Sequence, residues 1–224
     1  MKEQNPAQES SVLPPPERKA VYVRTMFSQI AAKYDLMNRL MTLGRDKAWR
    51  RYTVSQALGP TPGGTASQDG QRVLDMACGT GDLAFEVLHQ QPNAEAVGLD
   101  FTPEMLVLAR QKAASTRTAV DLVAGDALKL PFCEETFDAV VTAFALRNVV
   151  DIPATFAEMA RVTRPGGRVA SLEIAKPRLP FFRRLFALYF YRFVPLVGGW
   201  VTGQRSAYTY LPHSLTAFLT PEEI

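Results

Sequence analysis

From Ala20 to Leu58, apolar residues return every three or four positions, so that Met26, Phe27, Ile30, Tyr34, Met37 and Met41 share one helical face. Gly44 is expected to break this run, with a second helix gathered around Trp49. The segment from Gly59 to Gly70, GPTPGGTASQDG, is a loop by composition and marks the expected start of the main domain. After it, short apolar runs alternate with amphipathic ones. Strands are predicted at Arg72–Ala77, Ala96–Asp100, Val120–Ala124, Ala139–Phe144 and Arg168–Ile174. Helices are predicted at Leu83–Gln90, Pro103–Ala114 and Pro153–Thr163. Most of these strands are unbroken apolar runs, the pattern of a parallel sheet buried on both faces. The alternation predicts an α/β fold: a doubly wound, mostly parallel, Rossmann-like sheet behind an N-terminal helical cap. Its ligand site belongs at the carboxyl ends of the strands.

The expected domain plan is a disordered tail at 1–19, a helical cap at 20–58, and a main domain at 71–224 with a basic-aromatic insertion at 176–205. The tail, MKEQNPAQESSVLPPPERK, is polar and broken by proline, without the apolar core of a signal peptide. The most apolar stretch, Leu185 to Val201, contains Arg192, Pro195 and two glycines, and by count falls short of the ~20 apolar residues a spanning helix needs. A cytoplasmic chain, peripheral at the inner face of the cell membrane, is expected. Composition narrows the choice further. Lys and Arg exceed Asp and Glu by 25 to 22, too small a surplus for a dedicated nucleic-acid binder. Two cysteines and two histidines supply neither a disulfide framework nor metal-ligand spacing, so no metal is expected.

The strongest local signal is VLDMACGTGDLA, Val73 to Ala84. Apolar residues lead into Gly79-Thr80-Gly81 and then a helix, placing a tight turn where a ligand can approach the backbone. Alone, such a loop is weak evidence. Asp100, however, ends the next predicted strand 21 positions after Gly79, where a carboxylate can accept from both hydroxyls of a ribose. Thr102 is placed to cap the following helix, which leaves Asp100 for this task. Loop and acid together predict a nucleoside-bearing cofactor. The same glycines also satisfy the dinucleotide pattern, so NAD has to be weighed. Asp75 near the turn, Asp82 at the helix start and Asp126 after the third strand crowd one crevice with acids and no compensating arginine. That lining repels a pyrophosphate and suits the cationic amino-acid end of S-adenosylmethionine.

From Arg72 to Ile174 the sequence resembles the class I S-adenosylmethionine-dependent methyltransferases. It resembles more narrowly the UbiE family, C-methyltransferases of menaquinone and ubiquinone biosynthesis. The stretches that carry this are AAKYDLMNRLMTLGRDKAW, AFALRNVVD (Ala143 to Asp151) and RVTRPGGRVASLEIAKP (Arg161 to Pro177). The resemblance implies cofactor contacts at Thr80, Asp100, Asp126 and Ala127, alongside Asp75, Gly79 and Gly81 from the loop reading. The chain departs from the family pattern at Thr42 and Asp46, where the family has Ser and His, at Ala143 and Ala145, and at Ile174-Ala175 after Glu173. Ala143 removes a serine contact, leaving open whether Thr142 remakes that wall. The family's closing helix and β-hairpin are expected to be missing, which would leave the strand at Arg168–Ile174 as an uncovered edge.

Methylating a ring carbon requires an in-line nucleophilic carbon, excluded water and a stabiliser for developing phenolate. Arg147 and Asn148, directly after the fourth predicted strand, are the candidate catalytic residues, with Arg147 as a structural ion-pair partner the plainer alternative. Tyr34 and Asp35, read as ending the N-terminal helix, are candidate lid residues. The expected substrate is a polyprenyl quinol, demethylmenaquinol first, with a polyprenyl benzoquinol or another lipophilic phenol as alternatives. From a different class, a non-catalytic cofactor-binding scaffold stays open. Between Lys176 and Arg205 there are six basic residues and no acid, interleaved with eight aromatics. This fits an interfacial segment on anionic lipid better than a nucleic-acid surface, with a buried helix of basic rim or a homodimer contact as alternatives.

Overall fold

A computed structural model describes residues 13–59, 70–175, 177–220 and 222–223. The expectations for 1–12, for the loop at 60–69, for Lys176 and for Pro221 and Ile224 lie outside the described residues.

Three helices come first: α1 (Pro16–Ile30), α2 (Tyr34–Thr42) and α3 (Asp46–Ala57), with a single 3-10 turn at Ala31–Lys33 between the first two. Helix α1 starts inside the expected tail, because Pro16 at its first turn gives up an N–H that no helix would satisfy there. Tyr34 and Asp35 therefore begin a helix rather than end one. The apolar spacing continues unbroken across the 3-10 turn, so periodicity could not reveal the bend. The break near Gly44 is present: Leu43 closes α2 in the left-handed conformation and Gly44 continues it at φ 74°.

The sheet contains β1 (Arg72–Met76), β2 (Glu95–Asp100), β3 (Val120–Ala124), β4 (Phe137–Ala143) and β5 (Thr163–Leu172). All pairings are parallel, in the order β3-β2-β1-β4-β5, so the winding direction reverses between β1 and β4. Helices α4 (Asp82–Gln90), α5 (Pro103–Thr116) and α6 (Ile152–Val162) are the crossovers. Alternation along the central strands divides the core. Val73, Ala139 and Val141 face α3 and α4 with Val54, Leu83 and Val87, whereas Leu74, Met76 and Val140 pack with Met159 and Val162 of α6. Strand β5 reaches further back than predicted. Its Pro165-Gly166-Gly167 turn is taken up as a bulge between the Phe137↔Thr163 and Ala139↔Arg168 pairs. Among the described residues no strand pairs with the outer side of β5.

After β5 the chain forms α7 (Pro180–Leu188), a π turn at Tyr189–Phe193, and α8 (Val194–Thr202), then α9 (Arg205–Ala217). The run from Pro180 to Thr202 is one helix of 23 residues, long and apolar enough to cross a membrane by length and composition. That corrects the count made from Leu185, which missed the helix's first turns. One side of this helix is nonetheless part of the fold. Phe190 and Val194 join Tyr208, Tyr210 and Leu215 of α9 and Val23, Met26, Ile30 and Met37 of the cap in a single cluster. At Gly198 a Cβ would fall 2.2 Å from the Tyr208 ring, so glycine is what lets α8 and α9 touch. The opposite side exposes Phe181, Leu185, Leu188, Leu196 and Trp200, the last at 88%.

Candidate active site

The crevice opens where the sheet order reverses. The residues just past the ends of β1 and β4, Ala77 and Phe144, sit at φ 57° and 59°, a conformation non-glycine residues avoid, and both line its wall. Backbone strain of this kind is retained where the surrounding fold imposes it, commonly at sites. Gly79 (φ 55°) and Gly81 (φ 85°) make the turn into α4. The remaining wall is Asp100, Phe101 and Met105 on one side, Asp126, Ala127 and Leu128 on another, and Ala143 and Asn148 across from them. Ala20, Val23 and Phe27 of α1 and Tyr34 of α2 form the roof.

Asp100 is held rigidly. One carboxylate oxygen accepts from the Gly79 N–H and the other from the Thr102 N–H, both at 2.8 Å. Thr102 does not cap α5 with its side chain, contrary to expectation; Asp100 supplies the acceptor at that helix start instead. Burial pushes the Asp100 pKa up, and the two backbone N–H groups oppose the rise. Asp126 accepts from the Leu128 N–H at 2.9 Å, an Asx turn that presents its free oxygen to the crevice.

Two other acids are placed differently from the sequence reading. Asp75 lies beneath the crevice, 2% exposed, accepting from the Ala84 N–H at 3.0 Å. Desolvation raises its pKa to about 8, so its carboxyl is largely neutral. Asp82 is not uncompensated. Lys112 lies 2.7 Å from one of its oxygens and Arg50 3.4 Å from the other. Burial alone would raise Asp82, but those two cations hold it below the usual carboxylate range. The crevice thus carries two acids, Asp100 and Asp126, rather than four, and arginine does stand behind it.

Asp75 makes stability depend on pH. Between about pH 4 and pH 8 the unfolded carboxyl has released the proton that the folded one keeps, so stability falls as pH rises through this window. Asp75→Asn is expected to flatten that fall while still accepting from Ala84. Urea unfolding at either end of the window tests this; parallel losses in the two proteins would refute it.

Thr80 and Asp35 do not reach the crevice wall. Thr80 donates to Asp35 at 2.6 Å, and Lys112 binds Asp35 at 2.7 Å, so α2, the glycine turn and α5 are tied by one polar knot. Asp46 continues it, accepting from Thr42 at 2.9 Å and pairing with Arg50. The two departures from the family signature therefore bond to each other. Thr142 does not remake the wall lost at Ala143: it is fully buried with its hydroxyl unpartnered, on the opposite face of β4.

Arg147 and Asn148 form a 3-10 turn after β4. Arg147 is 8% exposed and bonds Glu173 at 3.1 Å, while Glu173 also accepts from the Leu146 N–H at 2.7 Å. The ion-pair alternative is thus realised. Arg147 lines not the cofactor crevice but a second cavity, which Asn148, Tyr34 and Phe27 share with the first. Sequence reasoning missed Lys112, Arg50, Asn38 and Phe101; only Phe101, adjacent to Asp100, carried a local signal. Nothing in the sequence around Glu173 marks it as the partner of Arg147.

The sequence pattern of the ubiE/COQ5 methyltransferase family matches residues 16–224. A demethylmenaquinone methyltransferase of Roseiflexus castenholzii is 48% identical over 215 residues, covering 96% of this chain and 86% of that protein. A ubiquinone/menaquinone biosynthesis C-methyltransferase UbiE of Geobacter sulfurreducens is 42% identical over 206 residues, covering 90% of this chain and 76% of the other. The fold is shared with a SAM-dependent methyltransferase of Aquifex aeolicus, at a TM-score of 0.51 and 20% identity over 65% of this chain and 75% of that one.

Proposed function

Since this chain belongs to the ubiE/COQ5 methyltransferase family, we propose that it transfers a methyl group from S-adenosylmethionine to a ring carbon of a polyprenyl quinol, demethylmenaquinol before others. The observation that carries this reading is that two cavities adjoin at Asn148, Tyr34 and Phe27, which line both: a crevice bearing Asp100 and Asp126, and an apolar hollow with a buried arginine at its side. The crevice fits the donor. Asp100 keeps a lone pair on each oxygen for a ribose diol, Asp126 faces an adenine amine, and Phe101 offers a flat apolar surface. When bound, the sulfonium supplies the electrophilic methyl group. Arg147, fixed by Glu173, steadies charge that develops on the ring oxygen, and Asn148 donates to that same oxygen. Tyr34 and the α1 roof exclude water. No covalent nucleophile is required.

The exposed side of the helix from Pro180 to Thr202 supports peripheral attachment at the inner face of the cell membrane. Leu185, Leu188, Leu196 and Trp200 are exposed beside Arg183, Arg184 and Arg192, the mixture that suits an anionic lipid surface and a prenylated substrate held in it.

The test is transfer of a radiolabelled methyl group to demethylmenaquinol and to a polyprenyl benzoquinol, each in vesicles with and without phosphatidylglycerol. Transfer to the naphthoquinol, faster on the anionic vesicles, is expected. Cofactor binding with transfer to neither quinol would make the chain a scaffold. Preference for the benzoquinol would reassign the substrate.

A further inference from the structure

The second cavity lies between the cap and α9, and its wall is mostly apolar: Met26, Ile30, Met37, Met41 and Leu211. Three of the residues that line it each have a buried polar atom without a hydrogen-bond partner: Asn38 Nδ2, Arg147 Nε and the Tyr208 hydroxyl. Asn38 stands close enough to Tyr34 to oppose the rise of that phenol's pKa, and Thr202 does the same for Tyr208, but neither contact has hydrogen-bond geometry. Arg147, more than nine-tenths buried, spends its Nη1 on Glu173 and leaves Nε unused. Tyr208, its pKa pushed up to about 12 by burial, is a neutral donor at any working pH.

Buried donors without acceptors are rare in folded proteins, since each has given up its hydration for nothing in return. Several around one apolar hollow describe a ligand in negative: a flat hydrocarbon body with acceptor oxygens at its rim. We infer that this cavity seats the oxygen-bearing ring, with Arg147 and Asn148 at the oxygen beside the methylated carbon and the Asn38 amide binding the second ring oxygen. The inference rests on the quinol reading above and sharpens it. Asn38 becomes the residue that distinguishes a diol from a phenol, because a monohydroxy ring leaves its amide as unsatisfied as the empty cavity does.

The experiment is calorimetric titration of the purified chain with 1,4-dihydroxynaphthalene, kept reduced, and with 1-naphthol, both in saturating S-adenosylhomocysteine. The diol is expected to bind about tenfold more tightly, the value of one net hydrogen bond near ~1.4 kcal/mol. Asn38→Leu should abolish this preference and leave S-adenosylhomocysteine affinity within about twofold. Equal binding of the two compounds by the unaltered chain overturns the inference without any variant, as does a preference that survives Asn38→Leu. Asn38→Ser repeats the test should the leucine variant not fold. Transfer to demethylmenaquinol with no diol preference refutes this seat alone. A diol preference lost in Asn38→Leu, with no transfer to any quinol, supports the seat and refutes the reaction.

Discussion

Asp100→Ala is expected to weaken S-adenosylmethionine binding by at least about a hundredfold while leaving a folded protein. The side chain does two things at once. It accepts from the Gly79 N–H and the Thr102 N–H, each at 2.8 Å, so it pins the glycine turn to the start of α5. It also presents its remaining lone pairs to the crevice, where a ribose diol would donate. Hydrogen bonds to a sheltered charge contribute about 1.5–3 kcal/mol each, and losing two from the ligand together with the fixed turn exceeds ~2.7 kcal/mol, a factor of a hundred. Asp100→Asn should be nearly as damaging, since one of its two faces becomes an NH2 directed at a backbone N–H. Calorimetric titration decides it. An affinity within threefold of the unaltered chain would mean that Asp100 is a structural brace and that the cofactor lies elsewhere.

The same residue shows what the sequence could and could not tell. Asp100 and Asp126 were legible because they follow strands in a βα alternation, and strand ends are where such a sheet gathers its ligands. Asp75 and Asp82 do not supply the negative charge expected of them, because a linear sequence does not say which acid is buried or paired. Lys112 lies 30 positions from Asp82, and Arg50 belongs to a helix that precedes the sheet altogether. Charge counting along one motif missed both. The cofactor assignment survives on the family match and on the two acids that do face the crevice, rather than on an excess of negative charge.

Fold class and strand positions were legible because β1, β2 and β4 are buried on both faces, and an apolar run of five or so residues between helical patterns has few other readings. The bulge in β5 and the 3-10 break at Ala31–Lys33 were not, since neither disturbs the spacing of apolar residues. The second cavity was invisible for a stronger reason. Its wall comes from α1 and α2 and, more than a hundred residues later, from the turn after β4 and α9, and its marking is the absence of partners for donors such as Asn38 and Arg147. The basic-aromatic stretch divides by side, which its spacing alone does not reveal: Phe190, Val194 and Gly198 face inward, and Phe181, Leu196 and Trp200 face out.

Glu173→Leu is expected to be the most destabilising single change in the site, and removing Arg147 as well should undo most of the damage. Both side chains are nine-tenths buried, at 9% and 8% exposure, and Glu173 also satisfies the Leu146 N–H. Burial pushes the Glu173 pKa up, and the Arg147 guanidinium opposes that rise, so each charge makes the other tolerable. Taking away the carboxylate leaves a guanidinium in a poorly solvated place, a cost of about 3–5 kcal/mol, and a melting temperature lower by roughly 10 °C in a chain of this size. In the Glu173→Leu, Arg147→Leu double variant no charge is stranded, and melting should return to within a few degrees of the unaltered chain. The two single effects then fail to add, as partners in contact should. Methyl transfer should behave differently. It stays more than about a hundredfold down in the double variant, because Arg147, the group proposed to steady the ring oxygen, is gone, while cofactor affinity is unchanged, since neither residue lines that crevice. Additive losses in melting temperature would show that the pair is not coupled. Restored transfer in the double variant would remove Arg147 from the reaction and leave it only a place in the fold.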